Sequence, residues 1–200
     1  MTTNEPVPDQ EAAVREMIGI ARRAAEIGLQ SGTGGNLSLR AGSRFLIKRS
    51  GCSLYGLTER DIVAVSEDGG LLSGPGMPSK EAMFHLGVYR ARPEIGGIAH
   101  YHAPFSTAFA VKGIPIPPVT IHSRRYFPVM PVVRELPDGS RELADAVVEA
   151  FRDTEVRLIL LAGHGLVSIG RTLTEAHLLA ESAEETAKTA FLVRHLADPA

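Results

Sequence analysis

Two hundred residues, 44% hydrophobic and 22% charged, have the make-up of an ordinary globule with enough chain to bury a sizeable core. A formal net charge of −2 carries no basic excess and argues against nucleic acid as a partner. The single cysteine, Cys52, cannot form an intramolecular disulfide, which suits a reducing compartment.

The opening Met1-Thr-Thr-Asn-Glu-Pro-Val-Pro is polar and lacks the basic and apolar regions of a signal peptide. The expectation is a cytoplasmic protein with no membrane partner, and residues 1–8 read as a loose leader. From Asp9 a helix is expected: Val14, Met17, Ile18, Ala21, Ala24, Ala25 and Ile27 mark an apolar face, and Gly28 suits its end. Next comes Ser31-Gly-Thr-Gly-Gly-Asn-Leu-Ser-Leu-Arg40. This glycine-rich run either turns backbone N–H groups toward an anion or is a plain flexible turn. It is not a P-loop, because no Gly-Lys-Ser/Thr follows.

Residues 37–40 and 44–48 alternate around Ala41-Gly42-Ser43, the pattern of a β-hairpin. Thr58 can cap a single helical turn. Residues 62–66 and 71–72 flank Glu67-Asp-Gly-Gly70 as a second hairpin. Pro78-Ser79-Lys80-Glu81 then reads as a helix entry, with Ser79 as cap and the Glu81 carboxylate near the positive end of the dipole. Met83, Phe84, Gly87 and Val88 recur at helical spacing, and Arg92-Pro93 ends the helix.

Ile95 to Ala99 form a short apolar strand leading into His100-Tyr101-His102. Residues two apart on a strand share a face, so the two imidazoles stand side by side. By itself that pair is either half of a metal site or a solvated strand end. A second apolar strand, residues 156–162, ends in Gly163-His164-Gly165, whose glycines allow close backbone approach. Three histidines at strand ends, with a carboxylate opening a helix, match the open, catalytic kind of zinc site.

Further on, residues 104–111 are expected as a short helix, and 113–118, with three prolines, as irregular. Residues 121–133 read as extended, carrying His122, Arg124, Arg125, Tyr126 and Phe127. Residues 140–153 read as a helix with Leu143, Val147, Val148 and Phe151 inward. A strand at 166–169 precedes a last helix from about Thr172 to His195, whose Leu173, Ala176, Leu179, Ala180, Ala183, Ala187 and Ala190 suit close packing. No repeat or linker interrupts the chain, so residues 1–200 are expected as one domain.

Taken together, Gly32-Thr-Gly-Gly-Asn-Leu-Ser38, Ser50-Gly51, Pro78-Ser-Lys-Glu81, Arg92-Pro-Glu-Ile-Gly-Gly-Ile-Ala-His-Tyr-His102 and Gly163-His-Gly-Leu166 resemble the class II aldolase/adducin family over nearly the whole chain. The resemblance implies a three-layer α/β/α fold around a largely antiparallel sheet. It also implies a homotetramer of fourfold symmetry with active sites between neighbouring subunits. His100, His102 and His164 then correspond to zinc ligands, although three imidazoles also suit manganese or cobalt. Glu81 corresponds to the catalytic acid/base. Gly35, Asn36, Ser50, Gly51, Ser79 and Lys80 fall where the family holds the substrate phosphate.

The activity implied is retro-aldol cleavage of a small phosphorylated ketose to dihydroxyacetone phosphate and an aldehyde, through a zinc-stabilised enediolate. A second acid/base must serve the aldehyde oxygen; Tyr126 is the candidate, its alternative being an aromatic packed beside Phe127. Family aldolases often carry a C-terminal tyrosine that reaches a neighbour's site, whereas no tyrosine follows Tyr126 here. The family's 4-epimerases use an aspartate where Arg124 or Arg125 stands, which argues against epimerisation. Pro-Ser-Lys-Glu resembles the decarboxylase members, and Lys80, Arg124 and Arg125 suit a carboxylate or a phosphate. Decarboxylation of a phosphorylated or aromatic hydroxy/oxo acid is therefore the nearest rival. Dehydration of a ketose phosphate and a non-catalytic scaffold are the further alternatives. His85 either neighbours the site or packs; His177 and His195 read as surface or packing residues.

Overall fold

The computed structural model of the protein describes residues 10–196. The leader expected at 1–8 lies outside them. Helix α1 (Gln10–Glu26) buries Ala13, Met17, Ile20, Ala21 and Ala24, a face repeating every three or four residues. Gly28, at φ +78°, lets the chain turn out of the helix. Strands β1 (Asn36–Ala41) and β2 (Arg44–Lys48) form the first hairpin. A 3₁₀ turn (Glu59–Asp61) capped by Thr58 leads into β3 (Ile62–Val65), which pairs with β4 (Leu71–Ser73).

Helix α2 (Ala82–Ala91) is followed by β5 (Gly97–Tyr101), α3 (Pro104–Val111) and α4 (Ile121–Tyr126). Then come β6 (Val132–Val133), α5 (Arg141–Ala150), β7 (Leu158–Leu161), β8 (Gly165–Gly170) and α6 (Leu173–His195). The strands make an eight-stranded sheet in the order β4-β3-β2-β1-β5-β8-β7-β6. Every neighbouring pair is antiparallel except β6 with β7. The expected α/β architecture is thus present: one sheet face packs against α1, α3 and α6, the other against α2 and α5.

Strand alternation distributes the central residues between these layers. On β5, Ala99 and Tyr101 join the core beneath α1 and α6, whereas Ile98 joins the core beneath α2 and α5. His100, two residues from Ile98, shares its face. Its strand lies between β1 and β8, opposite Asn36 on one side and Val167 on the other. Among the described residues no helix is long and apolar enough to cross a membrane.

Two expectations on secondary structure fail, the first being the Ser79 cap, since the N-cap residue of α2 is Glu81. Residues 121–126 are helical rather than extended, because Thr120 accepts from the Ser123 backbone N–H at 3.1 Å and Ser123 reciprocates toward the Thr120 N–H at 3.0 Å. That reciprocal cap starts a helix in a segment without an apolar stripe. The far end of the same stretch is extended, as β6. Of the apolar residues at helical spacing on α2, Phe84, Gly87 and Val88 are buried and Met83 is exposed.

Candidate metal centre

His100 sits at the heart of the sheet and is fully buried; its Nδ1 donates to the Leu166 carbonyl at 2.8 Å. A carbonyl can only accept, so the proton is on Nδ1 and Nε2 presents its lone pair to the opposite side. His102, just past the end of β5, is held by its own backbone N–H, which donates to Gln30 Oε1 at 2.7 Å. His164 lies in the turn between β7 and β8. That turn approaches β5 closely: a Cβ on Gly165 would stand 2.4 Å from the Tyr101 carbonyl oxygen. The close approach expected from the flanking glycine is therefore real.

The nitrogen ligand atoms of His100, His102 and His164 all lie within 4.8 Å of one another. His102 Nε2 is 3.1 Å from His100 Nε2. Two ring nitrogens at that separation need a proton or a cation between them. Burial, and then the neighbouring imidazoles, push His100 down to about 3 and His102 down to about 4, against carrying the extra proton. Neutral imidazoles converging on one point are what a divalent cation requires.

Glu81 completes the pocket from the start of α2. The residue is buried, its Oε2 3.4 Å from His100 Nε2 and its Oε1 3.7 Å from His164 Nε2. Oε2 accepts from Asn36 Nδ2 at 2.8 Å, whereas Oε1 is buried with no hydrogen-bond partner. A buried carboxylate oxygen without a hydrogen-bond donor is costly unless a cation is close. The donor set and this orphaned oxygen therefore both fit a divalent metal ion held by the three histidines.

Around this centre the three expected phosphate segments are drawn together. Lys48, at the end of β2, is buried, and its Nζ donates to the Thr33 carbonyl at 3.0 Å and the Cys52 carbonyl at 2.5 Å. It ties the glycine loop to the Ser50-Gly51 turn. Burial pushes its pKa below the usual lysine range. The Ser50 N–H donates to the Met77 carbonyl at 2.9 Å, and the Ser79 N–H to the Lys48 carbonyl at 3.0 Å, which brings in the third segment. Gly35 has φ +62°, and a Cβ there would stand 2.4 Å from Gln30 Oε1 and 2.8 Å from the His100 carbonyl, so only glycine fits.

Not every expected residue is free for a ligand. The Asn36 side chain is committed to Glu81 and to His85. Lys80 is exposed and ion-paired with Asp138, a partner the sequence did not suggest. Tyr126 is 46% exposed on α4, and its ring neighbours are His122 and Arg125 rather than the three convergent histidines. Lys48 and the bonds that join His85, Ser38 and Tyr89 also escaped the sequence reading, although His85 itself was expected either to neighbour the site or to pack. The available signal for Lys48 was a charge closing the apolar run Phe45-Leu-Ile47.

The profile of the Class II Aldolase and Adducin N-terminal domain matches residues 15–191. The chain belongs to the class II aldolase and adducin family. It is 36% identical to the 5-methylthioribulose-1-phosphate/5-deoxyribulose-1-phosphate aldolase of Rhodospirillum rubrum, covering 96% of this chain and 87% of that one. With the 3-oxo-tetronate 4-phosphate decarboxylase of Escherichia coli (strain K12) it shares 33% identity over 92% of this chain and 88% of that protein. The structure of L-fuculose-1-phosphate aldolase from Thermus thermophilus superposes with a TM-score of 0.84 at 28% identity, covering 94% and 98% of the two chains. As a class II aldolase-type carbon–carbon lyase, the protein shares a family with enzymes that act on small phosphorylated sugars.

Proposed function

We propose that this family member cleaves a small ketose 1-phosphate to dihydroxyacetone phosphate and an aldehyde. The observation that carries the reading is the buried Glu81 carboxylate, one oxygen held by Asn36 and the other unpartnered, beside three convergent imidazoles. His100, His102 and His164 would hold a divalent ion, zinc by preference, which would supply Lewis acidity for a ketose carbonyl.

The chain's own groups supply the rest. Glu81 Oε1 is the oxygen free to hold the proton that moves at the carbon beside the carbonyl. Gly35, Ser50, Gly51 and Ser79, gathered by Lys48, hold the phosphate through the glycines' backbone N–H groups and the serine hydroxyls. Lys80 adds a cation at the rim. Tyr126 is assigned the proton for the aldehyde oxygen on its chemistry and exposure. The assembly proposed is a homotetramer.

A second reading, decarboxylation of a phosphorylated oxo acid, has specific support from the 33% identity to the 3-oxo-tetronate 4-phosphate decarboxylase. Both reactions leave negative charge on the carbon skeleton beside a carbonyl, and the same Glu81 would serve either. The deciding experiment incubates zinc-loaded protein with dihydroxyacetone phosphate and short aldehydes, and follows condensation products by mass spectrometry. Products establish aldol chemistry, and the best aldehyde indicates the ketose. Bound metal with no product from any aldehyde, together with carbon dioxide release from an oxo-acid phosphate, would replace the first reading by the second.

A further inference from the structure

Glu81 opens α2, and His85 and Tyr89 follow at intervals of four, so the three stand on one face of the helix. Against them β1 presents Asn36 and Ser38, two residues apart and therefore on one face of the strand. The five side chains make one line of hydrogen bonds. Asn36 Nδ2 lies 2.8 Å from Glu81 Oε2, and Asn36 Oδ1 2.5 Å from His85 Nε2. His85 Nδ1 lies 2.6 Å from Ser38 Oγ, which is 2.9 Å from the Tyr89 hydroxyl. All five residues are buried, so no water competes for these groups.

We infer that His85 and Ser38 are positioning residues: they lock the Asn36 amide with its NH₂ group toward Glu81, and thereby pin one carboxylate oxygen while leaving the other free for the proton. The inference rests on the role of Glu81 proposed above.

The direction of every bond follows from the one before. A carboxylate only accepts, so Asn36 turns its Nδ2 to Glu81 and its Oδ1 to His85. His85 must then donate from Nε2, which leaves Nδ1 bare and able only to accept. Ser38 supplies that proton from Oγ and accepts one in turn from Tyr89. Burial keeps His85 neutral, its pKa pushed down to about 3, so the ring has a single proton to place. Burial likewise pushes the Tyr89 phenol up, which keeps its proton available for donation. An amide can otherwise turn over and present its oxygen to the carboxylate, which would repel Glu81 from its place. The donor on His85 is what forbids that, and the Ser38 hydroxyl holds the ring at its other end.

Two measurements test this. Histidine-labelled, zinc-loaded protein without substrate is read by ¹⁵N NMR: the expected His85 ring carries its proton on Nε2 with Nδ1 bare. A proton on Nδ1, or an imidazolium, would overturn the lock. In turnover, His85→Leu removes the donor and is expected to lower kcat by about 10- to 100-fold, the scale of a small misplacement at a reacting centre. KM and zinc content stay as in the parent, and His85→Gln, which keeps an N–H for Asn36, restores most of the rate. Equal losses in both variants, an unchanged rate, or a loss carried by KM would each sink the positioning role. Should His85→Leu not fold, Ser38→Ala carries the kinetic test. It is expected to give a several-fold fall in kcat alone, and no fall counts against the proposal. If the parent cleaves no ketose phosphate, the aldol reading fails, while the ring measurement still decides the lock.

Discussion

Helices α2 and α6 pack on opposite faces of the same sheet, and their buried sides differ in make-up. The inner face of α6 is mostly small and apolar, Leu173, Ala176, Leu179, Ala180, Ala183, Ala187 and Ala190, which lets the helix approach the strands closely; only His177, bonded to the Tyr101 hydroxyl, and Thr186 add buried polar groups. The inner face of α2 includes Phe84 and Val88, but also Glu81, His85 and Tyr89, each bearing a polar group that must be satisfied inside the protein. One face is fitted mainly by volume, the other mainly by hydrogen-bond direction. Changes on α6 should therefore act on stability, and changes on α2 on chemistry.

The largest effect is expected where α2 meets the histidines. His100→Ala removes a buried imidazole from the trio and should abolish metal retention and activity together, a loss of about 10³-fold or more if Lewis-acid assistance is worth several kcal/mol. Metal analysis beside initial rates checks it; full turnover with zinc still bound would remove His100 from the centre. Next, Glu81→Gln keeps the shape but not the charge of the carboxylate. Metal should stay bound while kcat falls by about 10²-fold or more, the usual scale for an acid/base group. An unaltered rate would take Glu81 out of the mechanism.

On the other face, Ala183→Leu inserts bulk where α6 is fully buried. The expected result is a loss of about 1–3 kcal/mol in unfolding free energy. KM and kcat of the folded fraction should remain those of the parent. A change in kcat without loss of stability would mean that the two faces are not separable in this way.

The sequence made α6 and the histidine trio legible for the same reason: both are written in local periodicity. Small residues recurring every three or four positions announce a close-packed helix, and His-x-His at the end of an apolar strand announces two imidazoles on one face. Gly28, the two hairpins and the helix start near Thr172 are local as well. What stayed hidden depends on partners distant in the chain. Asn36 reads as a ligand for phosphate until β1 is laid beside β5 and α2, where its amide bonds to Glu81 and His85. Lys48 reads as a strand-end charge until the loops bearing Thr33 and Cys52 close over it. Helix α4 was missed on different grounds, since six residues without an apolar stripe leave only the Thr120–Ser123 cap to signal it.

The last of these effects concerns acid stability, and it separates the two faces by proton uptake rather than by rate. His85 is held neutral in the folded protein with a pKa near 3, against 6.5 for the exposed ring. Its folded value is depressed, so between those limits the unfolded chain binds a proton that the folded chain refuses. The contribution of His85 to stability is then complete above about pH 6.5 and declines as the pH falls toward 3, by at most about 1.4 kcal/mol per pH unit. His85→Gln has no such proton to bind. Unfolding free energies of the two proteins, followed with chelator present so that metal release does not enter, should therefore diverge in slope between pH 6 and 4. The parent should lose stability faster by about one proton's worth, and the other histidines should cancel between the two curves. Parallel curves would mean that His85 is charged or solvated in the folded state, and the line of bonds from Glu81 to Tyr89 could not run in the direction assigned to it.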